Sequence, residues 1–181
     1  MCDETAAITK LGFGKPCATL YHGTPAPFTT PSLSYCKPHR DFGCGFYLAA
    51  NYFDALPMAI KQFPIGFVQT YALEDLDGLS VLEFTGYSEE WLRFVTGSRL
   101  GYIHAEYDLV VGNMAGGGAN LKSRFSKFRQ AATPVEEVMQ IMEHDLTSTD
   151  LGVQYAFLTE KALSKLTLID TETVERDDAV I

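Results

Sequence analysis

The sequence predicts an α+β fold: a split antiparallel β-sheet core with flanking helices, in a single domain over residues 1–181 whose core spans about 16–170. Three observations lead to this prediction. Apolar runs of strand length outnumber long helical patterns. An Asp-Gly pair at 77–78 lies between two such runs, which is typical of an antiparallel hairpin. Hydrophobic residues make up 46% of the protein, enough to fill a sizeable core.

The first third of the sequence predicts two strands and a helix. An apolar strand covers 18–22, and a loop rich in Pro, Ser and Thr follows over 23–40. A short strand at 46–49 comes directly after a glycine turn. A helix is expected over 52–63 and is interrupted or entered near Pro57.

The middle of the sequence predicts the hairpin and a further buried strand. The hairpin strands are 67–73 and 79–84, on either side of the Asp-Gly pair. Ser88 is expected to cap the next helix, because a serine oxygen can accept a hydrogen bond from a free first-turn N–H. The buried strand lies at 109–111.

The last third predicts two longer helices and two strands. A basic helix covers 121–131, and residues 133–136 (Thr-Pro-Val-Glu) resemble a capping box that opens the next helix. A strand at 153–158, a short helix from Thr159 and a last strand near 166–169 complete the order. The apolar stripe of the helix after the capping box is Val135, Val138, Met139, Met142 and Leu146.

Charge and hydrophobicity indicate which partners and which cellular compartment to expect. The net charge of −9 argues against nucleic-acid phosphates as the main partner. No apolar stretch reaches the roughly 20 residues that span a bilayer, and residues 1–15 lack a signal core, so a cytoplasmic protein is expected. A specialised export route would leave no such trace. Residues 171–181 are polar and expected to fray, and the cysteines are expected to stay reduced.

Two short motifs carry the functional signal. His22 ends an apolar run and precedes Gly23, and Tyr47 follows a Gly-x-Gly turn at the head of another apolar run. Each has a structural alternative: a hydrogen-bonded histidine at a strand end, and an aromatic residue in a β core. A glycine lets backbone N–H and C=O groups approach a flat ligand closely.

Together these motifs resemble the first two parts of the NAD site of ADP-ribosyltransferases of the His-Tyr-Glu type, which include diphtheria toxin and the poly-ADP-ribose polymerases. More closely, the sequence is similar to a family of small, largely uncharacterised ADP-ribosyltransferase-like proteins. The matching segments are Tyr21-His22-Gly23-Thr24, residues 41–48 (Asp-Phe-Gly-Cys-Gly-Phe-Tyr-Leu), residues 107–112 and residues 154–163.

The resemblance implies a split sheet with NAD in the cleft between its halves. Gly23 would hold the nicotinamide amide through its backbone, Tyr47 would stack on the ring, and His22 would orient the adenosine-side ribose. The imidazole and the phenol would then face one dinucleotide. The residues expected to bind NAD are Tyr21, His22, Gly23, Thr24, Asp41, Gly45, Phe46, Tyr47 and Tyr52.

The third motif of such enzymes is a glutamate on a late strand, and here the corresponding strand carries Gln154. Gln154 is therefore expected to join His22 and Tyr47 in catalysis, with Glu160 as a second candidate and Glu106 as a third. Glu160 has a structural alternative, a favourable charge in the first turn of a helix. A second tyrosine of the polymerases would align with Met58, which leaves the other side of the aromatic clamp open.

The function expected on this basis is NAD-dependent mono-ADP-ribosyl transfer with release of nicotinamide. NAD is the co-substrate, no metal is required, and a protein acceptor is favoured over a nucleic acid; no membrane partner is expected. The alternatives are a non-catalytic NAD or ADP-ribose-binding module, an NAD glycohydrolase, and a protein that only binds a partner. Cys36, His39 and Cys44 are irregularly spaced and do not predict a zinc site.

Overall fold

A computed structural model describes residues 18–103, 106–117 and 120–176. The expected irregular start at 1–15 lies outside these residues, as do Cys2, Cys17 and the last five positions. None of the helices among the described residues has the length and apolar character that crossing a bilayer requires.

The described residues fold around a seven-stranded sheet, and the predicted α+β class is confirmed. All strand pairs are antiparallel except the parallel pair of β4 with β5. The spatial order is β4-β5-β6-β2-β1-β3-β7. The strands are β1 (Ala18–Thr24), β2 (Phe46–Ala49), β3 (Ile65–Leu73), β4 (Val81–Glu83), β5 (Leu109–Asn113), β6 (Val153–Phe157) and β7 (Leu166–Glu175).

Helices cover one face of this sheet. Apolar side chains of α2, α3 and α4 form a core with Val110 and Ala156, and α1 forms a second core with Ala49 and Val68. We call this side the helical face. The helices are α1 (Tyr52–Ala59), α2 (Glu89–Leu100), α3 (Leu121–Gln130), α4 (Val135–Thr147) and the short α5 (Glu160–Leu163).

The opposite face, which we call the loop face, is covered mainly by loops. Its core includes Leu20, Phe46, Tyr71 and Phe157, with Phe28 of the long loop between β1 and β2 and the short helix α5 packed onto it. Successive residues of a strand point to opposite faces. Phe46 therefore faces the loops, and Tyr47 faces the helices.

The sheet is split between its two central strands. β1 pairs with β3 along its whole length, from Ala18↔Leu73 to Thr24↔Phe67. Its pairing with β2 is confined to Tyr21↔Ala49. The strands therefore part beyond that pair, and the half-sheet β1-β3-β7 is joined to the half-sheet β4-β5-β6-β2 over a short span.

Local signals located most elements, with three corrections. The predicted 67–73/79–84 hairpin is wrong, because β3 pairs with β1 and β7, whereas β4 lies at the other edge of the sheet beside β5. The last strand runs to Glu175 and is not frayed at 171–175, because it pairs with β3 throughout. α1 ends at Ala59, four residues earlier than expected.

Of two predicted helix starts, one is confirmed and one is wrong. Ser88 caps α2 as predicted, and its side chain accepts from Trp91 N–H. The capping box at 133–136 does not form, because α4 begins at Val135 after Pro134, without a side-chain cap.

The expectation of reduced cysteines is wrong for Cys36 and Cys44, which form a disulfide across eight positions with a Cα–Cα distance of 5.2 Å. Between and beside them, His39 (φ 62°) and Gly43 (φ 102°) turn the backbone back on itself. The disulfide therefore closes the end of the loop that leads into β2.

Candidate functional site

The backbone of Tyr47 faces the split. Ala50 N–H donates to Val153 C=O at 2.9 Å, so the even-numbered positions of β2 present their polar groups to β6. Alternate residues of a strand present these groups to opposite edges. The N–H and C=O of Tyr47 and Ala49 therefore point toward β1.

The backbone of Gly23 faces the same split from the other side. Tyr21 pairs with Ala49, so its polar groups point toward β2, and those of Gly23, two residues on, have the same direction. Continuing this register would place Gly23 opposite Tyr47, but the two residues are not paired. The open end of the split thus places backbone donors and acceptors opposite one another.

His22 bridges the split at this point. Its Nδ1–H donates to the backbone oxygen of Tyr47 at 2.8 Å. Because a carbonyl oxygen can only accept, the proton lies on Nδ1 and Nε2 is left as an acceptor. Burial of the ring lowers the pKa of His22, which keeps the imidazole neutral. Phe46 flanks the ring, with centroids 4.5 Å apart.

Tyr47 is held on the helical face by its hydroxyl. The hydroxyl donates to Gly43 C=O at 2.8 Å and accepts from Phe42 N–H at 3.0 Å. Burial, reinforced by the charge of Asp41, raises the pKa of Tyr47 well above its usual range. The phenol is therefore a fixed neutral group whose ring can be packed against but which cannot serve as a base.

His22 and Tyr47 meet at the split, but their side chains do not share a face of the sheet. The imidazole lies with Phe46 and Phe28 on the loop face, and the phenol ring packs on the helical face. The two side chains therefore do not line one common cleft, contrary to the expectation that the imidazole and the phenol face one dinucleotide. A ligand that contacts both must span the open end of the split.

A buried polar cluster lies on the Tyr47 side, centred on Asp41. Asp41 Oδ1 accepts from Arg99 Nε at 2.8 Å and from Arg99 Nη2 at 2.5 Å. Asp41 Oδ2 accepts from Ala115 N–H at 3.0 Å and from Gln154 Nε2 at 2.8 Å. Four donors therefore converge on one carboxylate, whose side chain is 12% exposed.

This cluster fixes the direction of the Gln154 amide. A carboxylate accepts hydrogen bonds, so the amide nitrogen must face Asp41 and the amide oxygen must face away. Gln154 pairs with Ala49 across β2 and points to the helical face, as Tyr47 does. Asp41 therefore positions Gln154, and its own lone pairs are used by protein donors.

Arg99, which sequence reasoning did not single out, is itself held from two sides. Its guanidinium lies 5.5 Å from the centre of the Phe125 ring. Its backbone oxygen accepts from Arg129 Nη1 at 2.9 Å. The basic helix α3 thus supports the cluster through Phe125 and Arg129.

The remaining expected NAD-binding residues lie near the split in different roles. Gly45 packs against β6, where a Cβ would lie 2.6 Å from Leu158. The hydroxyl of Thr24 closes a turn by donating to Ala26 C=O. Tyr52 packs edge-on against Tyr21 and donates to Glu172, so it is directed toward β7 and away from Tyr47.

Three other positions align with the second aromatic residue or are candidates for the third-motif glutamate. Met58, which aligns by residue count with the second tyrosine, lies beside Gly23: its Cβ is 2.9 Å from the position that a Cβ of Gly23 would take. Glu160 is exposed in the first turn of α5, whose cap is Thr159. Glu106 is also exposed.

A cavity away from the split is also present among the described residues. This surface cavity of about 370 Å³ lies between the start of α2 and α4, lined by residues that include Tyr87, Arg93 and Glu136, and it includes none of the residues above. Among the residues that the structure describes, no group of three His, Cys, Asp or Glu side chains is arranged to hold a metal ion.

Residues 18–168 match the family described as "Protein of unknown function (DUF3990)". The protein belongs to this family. The matched range begins with β1 and ends within β7, so the match covers the split and both half-sheets of this protein. No curated protein matches the sequence at a significant level.

Two further residues of interest, Phe28 and Gln69, were missed by sequence reasoning. Gln69 is fully buried on β3, beside His22 in register. A glutamine inside the apolar run 67–73 is the signal that could have found it. Phe28 carries no such signal, because it is one apolar residue in a long polar loop.

Proposed function

We propose that the protein binds NAD at the open end of the split and transfers ADP-ribose to a macromolecular acceptor with release of nicotinamide. The observation that carries this proposal is that Gly23 on β1 and Tyr47 on β2 do not pair with each other, although each pairs with the strand on its outer side. Their backbone groups face one another, with an aromatic ring on one side and an imidazole on the other. The backbone oxygen of Tyr47 already accepts from His22 Nδ1–H, so the backbone groups of Gly23 are the ones offered to a ligand.

Gly23 suits the nicotinamide carboxamide, which needs one hydrogen-bond acceptor and one donor. The backbone oxygen and N–H group of one residue supply both at a fixed separation. Only glycine fits here, since a Cβ would collide with Ala55 O on α1 and lie 2.7 Å from Ala59 N. The ring of Tyr47 and the side chain of Met58 then bound the nicotinamide on its two sides.

Gln154 would accept a hydrogen bond from a hydroxyl of the nicotinamide-side ribose through its amide oxygen. In the reaction, the bond from C1′ to the nicotinamide nitrogen breaks, and nicotinamide leaves with the electron pair. The ribose becomes oxocarbenium-like, and the acceptor forms the new bond to C1′ and loses a proton to solvent. An amide stabilises this positive charge less than a carboxylate would, so slow turnover is expected.

The acceptor is more readily a protein than a nucleic acid. The net charge of −9 opposes approach of a phosphate backbone. Tyr47 cannot activate the acceptor, because its hydroxyl is neutral and already donates to Gly43 C=O. The nucleophile would therefore bring its own reactivity or be water, in which case the protein is an NAD glycohydrolase.

A second candidate is a module that binds NAD or ADP-ribose without turnover. The observation that favours it is the neutral Gln154 at the position where the similar enzymes carry a glutamate. Glu160 does not replace it on the helical face, because it is exposed at the start of α5.

The test is release of nicotinamide from labelled NAD by the whole protein, followed chromatographically. Wild-type protein should release nicotinamide, and Tyr47→Ala should lower the rate at least tenfold. Tyr35→Ala is the matched control, since Tyr35 is 87% exposed. Binding of NAD by calorimetry without release would support the second candidate. Absence of both binding and release would overturn the proposal.

A further inference from the structure

The loop face of the split holds buried polar atoms that have no hydrogen-bond partner among the residues of the described ranges. Gln69 is 0% exposed, and its Oε1 accepts no hydrogen bond from the described residues. The hydroxyl of Tyr71, two residues along β3 on the same face, is also without a partner among these residues. Buried polar atoms in native proteins are nearly always satisfied, by protein, water or ligand.

These atoms lie next to His22. His22 and Gln69 are register partners across β1 and β3, so their side chains leave the same face about 5 Å apart at Cβ. His22 Nδ1 is used by Tyr47 C=O, which leaves Nε2 as an acceptor. Register partners on one face of the sheet thus each carry a neutral acceptor, His22 Nε2 and Gln69 Oε1.

The side chain of Phe28 covers His22 and Gln69. Its ring lies 5.6 Å from the His22 ring and 5.9 Å from the Phe46 ring, measured between centroids. Its backbone oxygen accepts from Gln69 Nε2 at 2.6 Å. The residues on both sides, 25–27 and 29–30, are for the most part exposed. This stretch is therefore held on the sheet mainly through Phe28 itself, and lifting Phe28 would uncover the His22 and Gln69 side chains and the Phe46 ring.

The chemistry beneath the cover fits a vicinal diol attached to a flat ring. Each hydroxyl of a ribose donates one hydrogen bond, and two adjacent acceptors match two adjacent donors. The Tyr71 hydroxyl can give or accept a further bond, and the Phe46 ring offers an apolar surface for a base. A charged group is not favoured, because the acceptors are neutral and the surroundings are apolar.

We infer that Gln69 is a ligand-binding residue: together with His22 it accepts hydrogen bonds from the two hydroxyls of the adenosine ribose of NAD, which displaces Phe28. This inference rests on the proposed function, and it places the adenosine end on the loop face while nicotinamide lies at Gly23 and Tyr47. It also explains how a ligand can use His22 and Tyr47 although they lie on opposite faces.

The test is calorimetric binding of NAD and of two analogues in which the adenosine ribose lacks its 2′- or its 3′-hydroxyl. Wild-type protein should bind at least one analogue about tenfold more weakly than NAD. Gln69→Met, which keeps the length but removes the acceptor, should bind NAD about tenfold more weakly and lose that discrimination. Phe28→Ala should bind NAD several-fold more tightly, because no cover must be displaced. Gln140→Met, at an exposed position on α4, should behave as wild type.

The outcomes separate the two proposals. If wild-type protein binds NAD and both analogues equally, the inference about Gln69 is overturned while the proposed function stands, and this holds even if Gln69→Met fails to fold. If Gln69→Met keeps wild-type affinity and discrimination, the inference is likewise overturned. If wild-type protein binds no NAD, the proposed function fails and this inference fails with it.

Discussion

Replacing Asp41 with asparagine should destabilise the fold and disrupt the polar cluster of the site. The asparagine is isosteric, but it has one acceptor oxygen where the carboxylate has two. Asp41 now accepts two hydrogen bonds from Arg99 through one oxygen and two from Ala115 N–H and Gln154 Nε2 through the other. In Asp41→Asn, the new NH₂ group must face one of these pairs of donors.

The expected loss in free energy of unfolding depends on which group is left unpaired. If the oxygen stays with Arg99, Gln154 can rotate its amide, but the Ala115 N–H cannot and loses its partner. Arg99, whose side chain is 17% exposed, also loses its countercharge. An unpaired buried N–H costs about 1–3 kcal/mol, and a broken buried ion pair costs about 3–5 kcal/mol. Allowing for partial exposure of the pair, we expect a loss of about 3 kcal/mol.

The assay is urea unfolding followed by fluorescence of Trp91, the one tryptophan of the sequence, which is fully buried. Glu136→Gln is the matched control, because it breaks an ion pair with Arg93 in which the side chains of Arg93 and Glu136 are 46% and 58% exposed. Exposed pairs contribute little to stability. If the Asp41→Asn curve overlays the Glu136→Gln curve, the carboxylate does not organise this cluster and the reasoning is refuted.

Three further predictions concern the loop, the histidine and the glycine. Cys36→Ser should lower the free energy of unfolding by about 2.5 kcal/mol under oxidising conditions, as expected for a loop of this length, and dithiothreitol should then have no further effect; an equal response to dithiothreitol in variant and wild type would contradict the Cys36–Cys44 bond. The free energy of unfolding should fall as pH drops below 6.5, because burial lowers the pKa of folded His22 and the unfolded protein takes up the proton first. In His22→Gln this fall should be shallower. An unchanged slope in the variant would contradict the assignment of the pH dependence to His22. Gly23→Ala should cost about 3 kcal/mol in urea unfolding, since its Cβ would collide with Ala55 O; a stable variant would show that α1 is not seated on Gly23.

Elements with local signals could be predicted from the sequence, and contacts between distant residues could not. The strand at 46–49 and the Ser88 cap are local, because each depends on a few neighbouring residues. The hairpin prediction is wrong because strand pairing between distant parts of the sequence overrides the local turn signal. The Asp77-Gly78 turn signal is present, and Gly78 has φ of 75°, but the backbone after it crosses to the other edge of the sheet.

The site shows the same limit. The motif pair singled out two residues that contact each other, since His22 donates to the Tyr47 carbonyl, but it did not reveal that their side chains leave opposite faces. Alternation along β2 sends the Tyr47 ring to the helical face, and the register with β1 sends His22 to the loop face. That register is set by pairing with β3 and β6, which the motifs do not encode. Arg99 lies 58 positions from Asp41, so no spacing could have revealed their pairing.

The most direct test of the account is a crystal of the protein soaked with NAD. We expect the nicotinamide carboxamide to lie against the backbone N–H and C=O of Gly23, with the ring beside Tyr47 and the rest of the molecule passing the open end of β1 and β2. Density for NAD at any other part of the surface, with Gly23 and Tyr47 uncontacted, would contradict the claim that the split is a dinucleotide site.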